Sequence, residues 1–197
     1  MPWPRDASAD DLVARLKAGE ERAWAELYGE HAGRIAGYAR SKGVRDPDDL
    51  VGDVFAAAAE RVGRFDGDAS RLRSWLFTIA HHRLADDLRR RRRRNTDVAP
   101  PAELADAVRT VDETDESADR LDADGALAML RWVTDEQREV LMLRILGELS
   151  IAETAEIVGK PPGAVKALQH RAIARIQRRL ADDPYPKTLS DDGSGET

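Results

Sequence analysis

The chain has 197 residues, of which 35% are charged and only 5% aromatic, and its formal net charge is -6 at pH 7. A chain of this length forms one domain or two small ones, each near the lower size limit for an independent core. It contains no cysteine, which excludes disulfides, thiolate metal sites and cysteine nucleophiles and fits a reducing compartment. With only four histidines in addition, we expect no metal site and no small cofactor.

The charge is distributed unevenly along the chain. Residues 1–94 and residues 126–180 each carry a net charge of +3, whereas residues 95–125 carry -8 and the tail from residue 181 carries -4. Because nucleic-acid binding depends on local potential, the acidic total does not exclude it. No apolar run suggests a signal peptide or a membrane span, so we expect a cytosolic protein without membrane insertion.

The first basic block reads as helices. Apolar residues recur near helical spacing from residue 12 to residue 39, with Gly19 and Gly43 as breaks. Acidic and proline start signals open a second helical stretch at residues 45–65. The third helix is "ASRLRSWLFTIAHHRLADDLRRRRRR", for which Ser70 is the expected N-cap.

The helical pattern stops at Asn95 and returns at Ala126. Residues 96–125 are acidic and contain two prolines, which predicts a flexible linker, with a short helical turn possible at residues 103–108. Residues 126–180 read as about four helices, with capping boxes predicted at Thr134 and Ser150. Residues 182–197 read as a disordered acidic tail. Strand-like alternation persists nowhere, so the predicted fold is all-α, with two small helical domains.

A helix-turn-helix is the strongest local signal. The small Ala155 allows two helices to cross closely, Gly159 permits a positive backbone angle in the turn, and Val165 fixes the second helix onto the first. The opposite face of that second helix offers short and cationic groups, which suit the major groove of DNA. A two-helix hairpin with an ordinary solvated face is the alternative. The residues on this candidate face are Lys166, Ala167, His170, Arg171 and Arg175.

Six consecutive arginines, residues 89–94, end the third helix. Alone, the run is also typical of a solvated helix end stabilised by the helix dipole. Trp75, His81, His82 and Arg83 precede it on the same element, and aromatic and cationic groups together bind unpaired bases and their backbone. The combination favours a second DNA-binding surface.

Two motifs, in order, resemble the extracytoplasmic-function (ECF) sigma factors, the small two-domain group of the sigma-70 family. In the first block, "DPDDLVGDVF" and "RFDGDASRLRSWLFTIAHHRLADDLRR" are similar to the family's two adjacent helical motifs. In the second block, "DEQREVLMLRILGELSIAETAEIVGKPPGAVKALQHRAIARI" is similar to its helix-turn-helix segment. The resemblance covers roughly residues 10–95 and 125–181.

The resemblance implies a non-enzymatic promoter-specificity subunit of bacterial RNA polymerase. Residues 1–95 would form a domain that binds the clamp helices of the polymerase, recognises the minus-ten element and assists melting. Residues 126–181 would bind the polymerase flap and the minus-thirty-five element. The acidic linker would occupy the RNA path, unless it is an inert spacer. The free protein is expected to be a monomer, and an anti-sigma factor is a possible partner.

The resemblance also assigns roles to individual residues. Trp75 matches the family tryptophan, for which core packing is favoured over base stacking, and Leu50 and Val54 are expected in the core of their own unit. Arg175 would contact a phosphate beside the base-reading residues Lys166, Ala167, His170 and Arg171. The polymerase-binding helix would present Asp49, Leu50, Asp53, Val54 and Phe55. The minus-ten and melting residues would be Asp66, Gly67, Asp68, Ala69, Ser70, His82, Arg83, Arg89 and Arg90.

Four positions depart from the family pattern. Gly52 replaces a common glutamine, which weakens its helix by about 1 kcal/mol relative to alanine. Ala164 and Ala167 replace a common threonine and serine, and His82 replaces asparagine, so the promoter sequence is expected to differ from the commonest one. The main rival is a helix-turn-helix repressor or activator that works without polymerase. That rival would need a dimer interface, for which no leucine-rich helix is present, and it leaves the first block unexplained. Weaker rivals are a helical module whose basic helix ends bind acidic proteins and an enzyme, which no nucleophile or phosphate loop supports.

Overall fold

A computed structural model describes residues 7–44, 46–96 and 128–182, with side chains at residues 12–44, 46–91 and 128–182. The described part of the chain forms two helical units, as predicted. Within the described ranges, the first unit contains four α-helices and the second contains three, preceded by the two helical residues Ala128 and Met129. Their bounds are α1 Ala7–Lys17, α2 Glu21–Ser41, α3 Pro47–Arg61, α4 Ala69–Thr96, α5 Asp135–Ile145, α6 Ile151–Val158 and α7 Pro162–Asp182.

The helix boundaries of the first unit follow from local signals. Gly19 and Gly43 adopt positive φ values of 76° and 75° and end α1 and α2, as the sequence predicted. The side chain of Asp46 accepts a hydrogen bond from the backbone amide of Asp49, and Pro47 occupies the first turn of α3. A single turn of 3-10 helix, Val62–Arg64, separates α3 from the loop that precedes α4. The backbone of α4 continues as helix through the arginine run to Thr96.

Of the about four helices predicted for the second unit, three lie wholly within the described residues, and Ala128 and Met129 are helical residues that precede a 3-10 turn, Leu130–Trp132. Both predicted capping boxes are present, Thr134 with Gln137 and Ser150 with Glu153. The expected helical turn at residues 103–108, most of the linker and the tail from residue 183 lie outside the described residues. None of the helices in the described ranges is long and apolar enough to cross a membrane.

The two units are docked onto each other through α2 and α4 of the first and α5 and α6 of the second. A continuous buried cluster runs through both, from Leu27 and Phe77 in the first unit to Leu143 and Leu149 in the second. Gly37 marks a close approach, because a Cβ added there would lie 3.2 Å from Cδ1 of Leu146. A smaller cluster, Val140, Ala155, Val165 and Leu168, forms the interior of the helix-turn-helix.

Candidate nucleic-acid interface

The turn between α6 and α7 has the geometry that the sequence predicted. Gly159 ends α6 in the left-handed conformation with φ 64° and ψ 35°. The backbone amide of Lys160 then donates to the carbonyl of Ala155 at 3.1 Å. Pro162 opens α7, and Ala155 and Val165 meet in the interior. The angle between the two helices is therefore set by residues that leave the outer face of α7 free.

That outer face carries the predicted base-reading residues. Val165, Leu168 and Ala172 are buried, whereas Ile176 and Leu180, also expected to face inward, are half-buried. The structure thus brings the five candidates of this unit together on one exposed surface, within three turns of the helix. These exposed residues are Lys166, Ala167, His170, Arg171 and Arg175.

Two further arginines extend this surface. Arg178 and Arg179 are exposed and line a groove of about 470 Å³ together with Arg171 and Arg175. Sequence reasoning missed both, although they follow Arg175 at helical spacings of three and four, which place them on the same side of α7. The groove concentrates positive charge next to the base-reading face, as phosphate binding requires.

The loop before α4 contains the candidate residues at positions 66–70. Asp66, Asp68 and Ser70 are exposed, and Gly67 and Ala69 are half-buried. The prediction that Ser70 caps α4 is wrong. The cap is Asp68, whose carboxylate accepts from the backbone amide of Arg71 at 3.1 Å and also from the Ser70 hydroxyl. The hydrogen bond from Ser70 lowers the pKa of Asp68. Both residues are cap formers, and the carboxylate is placed to accept two hydrogen bonds at once.

The other candidates on α4 lie along its exposed side. His82 is exposed and Arg83 is half-buried, about 18 Å along the helix from Ser70 at 1.5 Å per residue. Arg89 and Arg90 are exposed on the following turns. Arg89 forms an ion pair with Asp86 at 2.7 Å, and Arg91 forms one with Asp87, also at 2.7 Å. These acidic neighbours partly neutralise the start of the arginine run.

The candidate polymerase-binding residues on α3 separate into two groups. Asp49 and Asp53 are exposed, whereas Leu50 and Val54 are buried in the core of the first unit, as expected. Phe55 is half-buried, with its ring centroid 4.8 Å from that of Tyr28, a large side chain that is 50% exposed. An acidic and aromatic surface therefore faces solvent here, and Tyr28 is a member that sequence reasoning did not identify. Gly52, on the same helix, is exposed with no atom near an added Cβ.

Within the described ranges, no group of three or more histidine, aspartate or glutamate side chains could hold a metal ion.

Comparisons with known proteins agree with both units. Residues 27–94 match the model of sigma-70 region 2, and residues 126–176 match that of sigma-70 region 4. The ECF RNA polymerase sigma factor BldN of Streptomyces coelicolor is 34% identical over 88% of this chain and 66% of its own length. The RNA polymerase sigma factor CnrH of Cupriavidus metallidurans is 32% identical over 91% of this chain and 97% of its own length.

Solved structures show the same similarity. CnrH in complex with the cytosolic domain of CnrY superposes with a TM-score of 0.63 at 29% identity, covering 89% of this chain and 99% of that one. The sigma factor RpoE of Bartonella quintana, in complex with the anti-sigma factor NepR, gives a TM-score of 0.59 at 25% identity, with coverages of 80% and 96%. Two region matches in order, and a 32% identical relative matched over 97% of its own length, lead to one assignment: the chain belongs to the ECF group of sigma-70 family RNA polymerase sigma factors, which are not enzymes, and it directs transcription initiation.

Proposed function

We propose that the two units contact separate elements of one promoter while both are bound to core RNA polymerase. In this proposal α7 reads the minus-thirty-five element, and the loop at residues 66–70 together with α4 reads and melts the minus-ten element. The α3 surface binds the clamp helices, and the second unit binds the flap. The protein then works in the cytoplasm, where the polymerase is found, and it is a monomer when free.

The observation that carries the proposal is the two-sided character of α7. Its buried side consists of small and aliphatic residues, while Lys166, His170 and Arg171 lie together on the exposed side. A helix held by a tight turn, with short and cationic side chains on its free face, fits the major groove and reaches base edges there. The arginine-lined groove that continues along α7 supplies phosphate contacts, which fix the register of the helix on the duplex.

The exposed carboxylates of α3 support the polymerase contact. Asp49 and Asp53 lie on the solvent side of a helix whose other side is anchored in the core. Acidic groups on a rigid element fit a basic partner surface, and Tyr28 with Phe55 adds an aromatic contact of the kind enriched in protein interfaces.

A protein inhibitor is a further proposed partner. The solved structures of CnrH and RpoE are complexes, the first with the cytosolic domain of CnrY and the second with the anti-sigma factor NepR. By similarity, we propose that an anti-sigma factor binds this chain.

Transcription with purified bacterial core polymerase tests the proposal. We expect the chain to confer initiation at defined start sites in a promoter library, and core polymerase alone to give none. The double variant Lys166→Ala and Arg171→Ala should lose site selection while still co-eluting with core polymerase in gel filtration. DNA binding without co-elution would instead support a repressor or activator that works without polymerase.

A further inference from the structure

The contact between the two units contains a set of charged and polar residues that are not part of the proposed promoter surface. Arg34 and Tyr38 on α2 and Lys42, the C-cap residue that follows it, are spaced at intervals of four, so they share one side of that helix. His81 and Arg73 lie on α4 and face the same neighbour. All five side chains contact one of two glutamates of the second unit, Glu139 or Glu148.

Glu139 binds three groups of the first unit. One carboxylate oxygen accepts from the Tyr38 hydroxyl at 3.3 Å and lies 3.0 Å from Nδ1 of His81, and the other lies 3.6 Å from Nζ of Lys42. Burial alone would raise the pKa of Glu139, but the hydrogen bond from His81 and the charge of Lys42 hold it below its usual value. Burial, with the charge of Glu139 adding to it, raises the pKa of Tyr38 well above 10. The carboxylate is therefore charged and the phenol neutral across the physiological range.

Glu148 joins α2 and α4 at a second point. Its carboxylate oxygens lie 2.9 Å from Nη1 of Arg34 and 2.8 Å from Nη1 of Arg73, and its carbonyl accepts from Nη2 of Arg73 at 3.2 Å. Among the described residues, Glu148 is the one non-glycine with a positive φ, 49°. Because this conformation is uncommon for a residue with a Cβ, the surrounding contacts must hold it in place.

We propose that Glu139 and Glu148 form a latch that keeps the free protein closed, and that the closed form is inactive on promoters until the latch opens. This inference rests on the proposed function. Minus-ten and minus-thirty-five elements lie about 25 base pairs apart, which is about 85 Å at 3.4 Å per base pair. A compact chain of 197 residues has a radius of gyration of about 16 Å, so it spans roughly half of that separation.

The segment that joins the units is long enough for the open form. About 30 residues separate Thr96 from Ala128, and a chain of that length reaches about 100 Å when fully extended, at 3.3–3.6 Å per residue. Opening thus needs no change within either unit. It needs the latch ion pairs to break and the apolar cluster shared by the two units to separate, including the packing of Leu146 against Gly37. The latch then sets the fraction of free molecules that is competent to bind.

Distance measurements on the free protein test the closed state independently of transcription. The chain has no cysteine, so spin labels can be attached at Glu60→Cys and Glu156→Cys, two exposed positions, one in each unit. We expect a single narrow distance distribution, and a broad and longer one when Glu139→Gln and Glu148→Gln are added. Glu136→Gln is the matched control, because Glu136 pairs with Lys160 inside the second unit at 2.9 Å. A broad distribution without the latch substitutions would overturn the proposal.

The latch variant should also bind more tightly to its target. If the closed form holds nine-tenths of the free molecules, opening it improves the apparent Kd for core polymerase on promoter DNA by about tenfold. The Glu136→Gln control should bind like the wild type. Equal affinity of the latch variant and the wild type would show that the closed form does not limit binding.

A reversible crosslink provides the converse experiment. Gly37→Cys and Leu146→Cys place two thiols on facing parts of the two units, because a Cβ added at Gly37 would lie 3.2 Å from Cδ1 of Leu146. We expect the oxidised double variant to lose promoter-directed initiation and the reduced one to regain it, with each single variant unaffected by oxidant. Full activity of the crosslinked protein would overturn the latch. Inactivity of the reduced protein and the wild type alike would count against the proposed function, while the spin-label distances would still report on the latch.

Discussion

The rings of Phe65 and Trp75 lie with their centroids 4.9 Å apart and their planes tilted by 42°. Phe65 is buried and Trp75 is half-buried against the main core, so the pair joins the residues on either side of the loop at positions 66–70. Core packing was the favoured interpretation of Trp75 from the sequence, and this contact supports it. The loop proposed to read the minus-ten element is thereby flanked by a packed aromatic pair.

The first prediction concerns Gly67. A Cβ there would lie 2.7 Å from Cζ of Phe65 and 3.1 Å from Cβ of Arg71, so Gly67→Ala must displace the aromatic pair or the loop. We expect a loss of about 1–3 kcal/mol in the free energy of unfolding and weaker minus-ten recognition. Urea unfolding and initiation assays measure the two effects. Gly63→Ala, where no atom lies within 4 Å of the added Cβ, is the control and should leave both unchanged.

Gly52 should behave in the opposite way. It lies in the interior of α3, is exposed, and has open space around an added Cβ. Gly52→Ala is therefore expected to stabilise the protein by about 0.5–1 kcal/mol, because alanine loses less backbone freedom in a helix. Thermal unfolding measures the change. A lower melting temperature would show that α3 needs the glycine for a reason absent from the described contacts.

Arg171 and Arg175 should differ in how they affect promoter choice. Arg171→Ala is expected to cost about 1–3 kcal/mol on the preferred minus-thirty-five sequence and to relax the preference at one base position. Arg175→Ala should weaken binding about equally on all sequences, as expected for a side chain that binds a phosphate. Affinities for a set of single-base promoter variants separate the two. Uniform weakening in both variants would make Arg171 a phosphate-binding residue as well.

The start of the arginine run should govern salt dependence. Arg89 and Arg90 are exposed, and Arg89 has Asp86 beside it. Replacing both by glutamine should reduce the slope of log Kobs against log salt by about 0.9 for each phosphate of duplex DNA that the protein then leaves unneutralised. Titrations of promoter DNA with the holoenzyme between low and moderate salt give the slope. An unchanged slope would identify this part of α4 as a solvated helix end.

Stability should fall on mild acidification because of His31. Its side chain is buried, Nδ1 has no hydrogen-bond partner among the described residues, and burial lowers its pKa below 6.5. The unfolded chain therefore takes up a proton first, so the free energy of unfolding decreases as the pH falls below 6.5, by at most about 1 kcal/mol down to pH 5.5. In His31→Leu this pH dependence should be flatter. Urea unfolding at several pH values is the measurement.

Local signals explain how much of the fold could be predicted. Gly159, Pro162 and the two capping boxes act on residues within four positions, so the sequence displays them directly. The same holds for the exposed side of α7, which follows from the 3.6-residue period. The cap at Asp68 was missed because several cap-forming residues adjoin in "DGDAS", and only the folded geometry decides which side chain accepts. Glu139 was missed for a different reason. Its partner Tyr38 lies 101 positions away, and a contact between residues so far apart in the chain produces no periodic pattern in the sequence.

The two units belong to one chain, and this affects how an inhibitor or polymerase competes with the contact between them. With the flexible linker that the sequence predicts, the two units meet at an effective concentration in the millimolar range. A separate protein present at micromolar concentration must therefore bind the contact face about a thousandfold more tightly to displace the internal partner on equal terms. A competitor that first binds the exposed α3 surface is then held close to the contact between the units. Its own effective concentration there is therefore also high, and it no longer needs the higher affinity. Because Asp49 and Asp53 are exposed, polymerase or an inhibitor can bind α3 first and displace the contact between the two units in a second step.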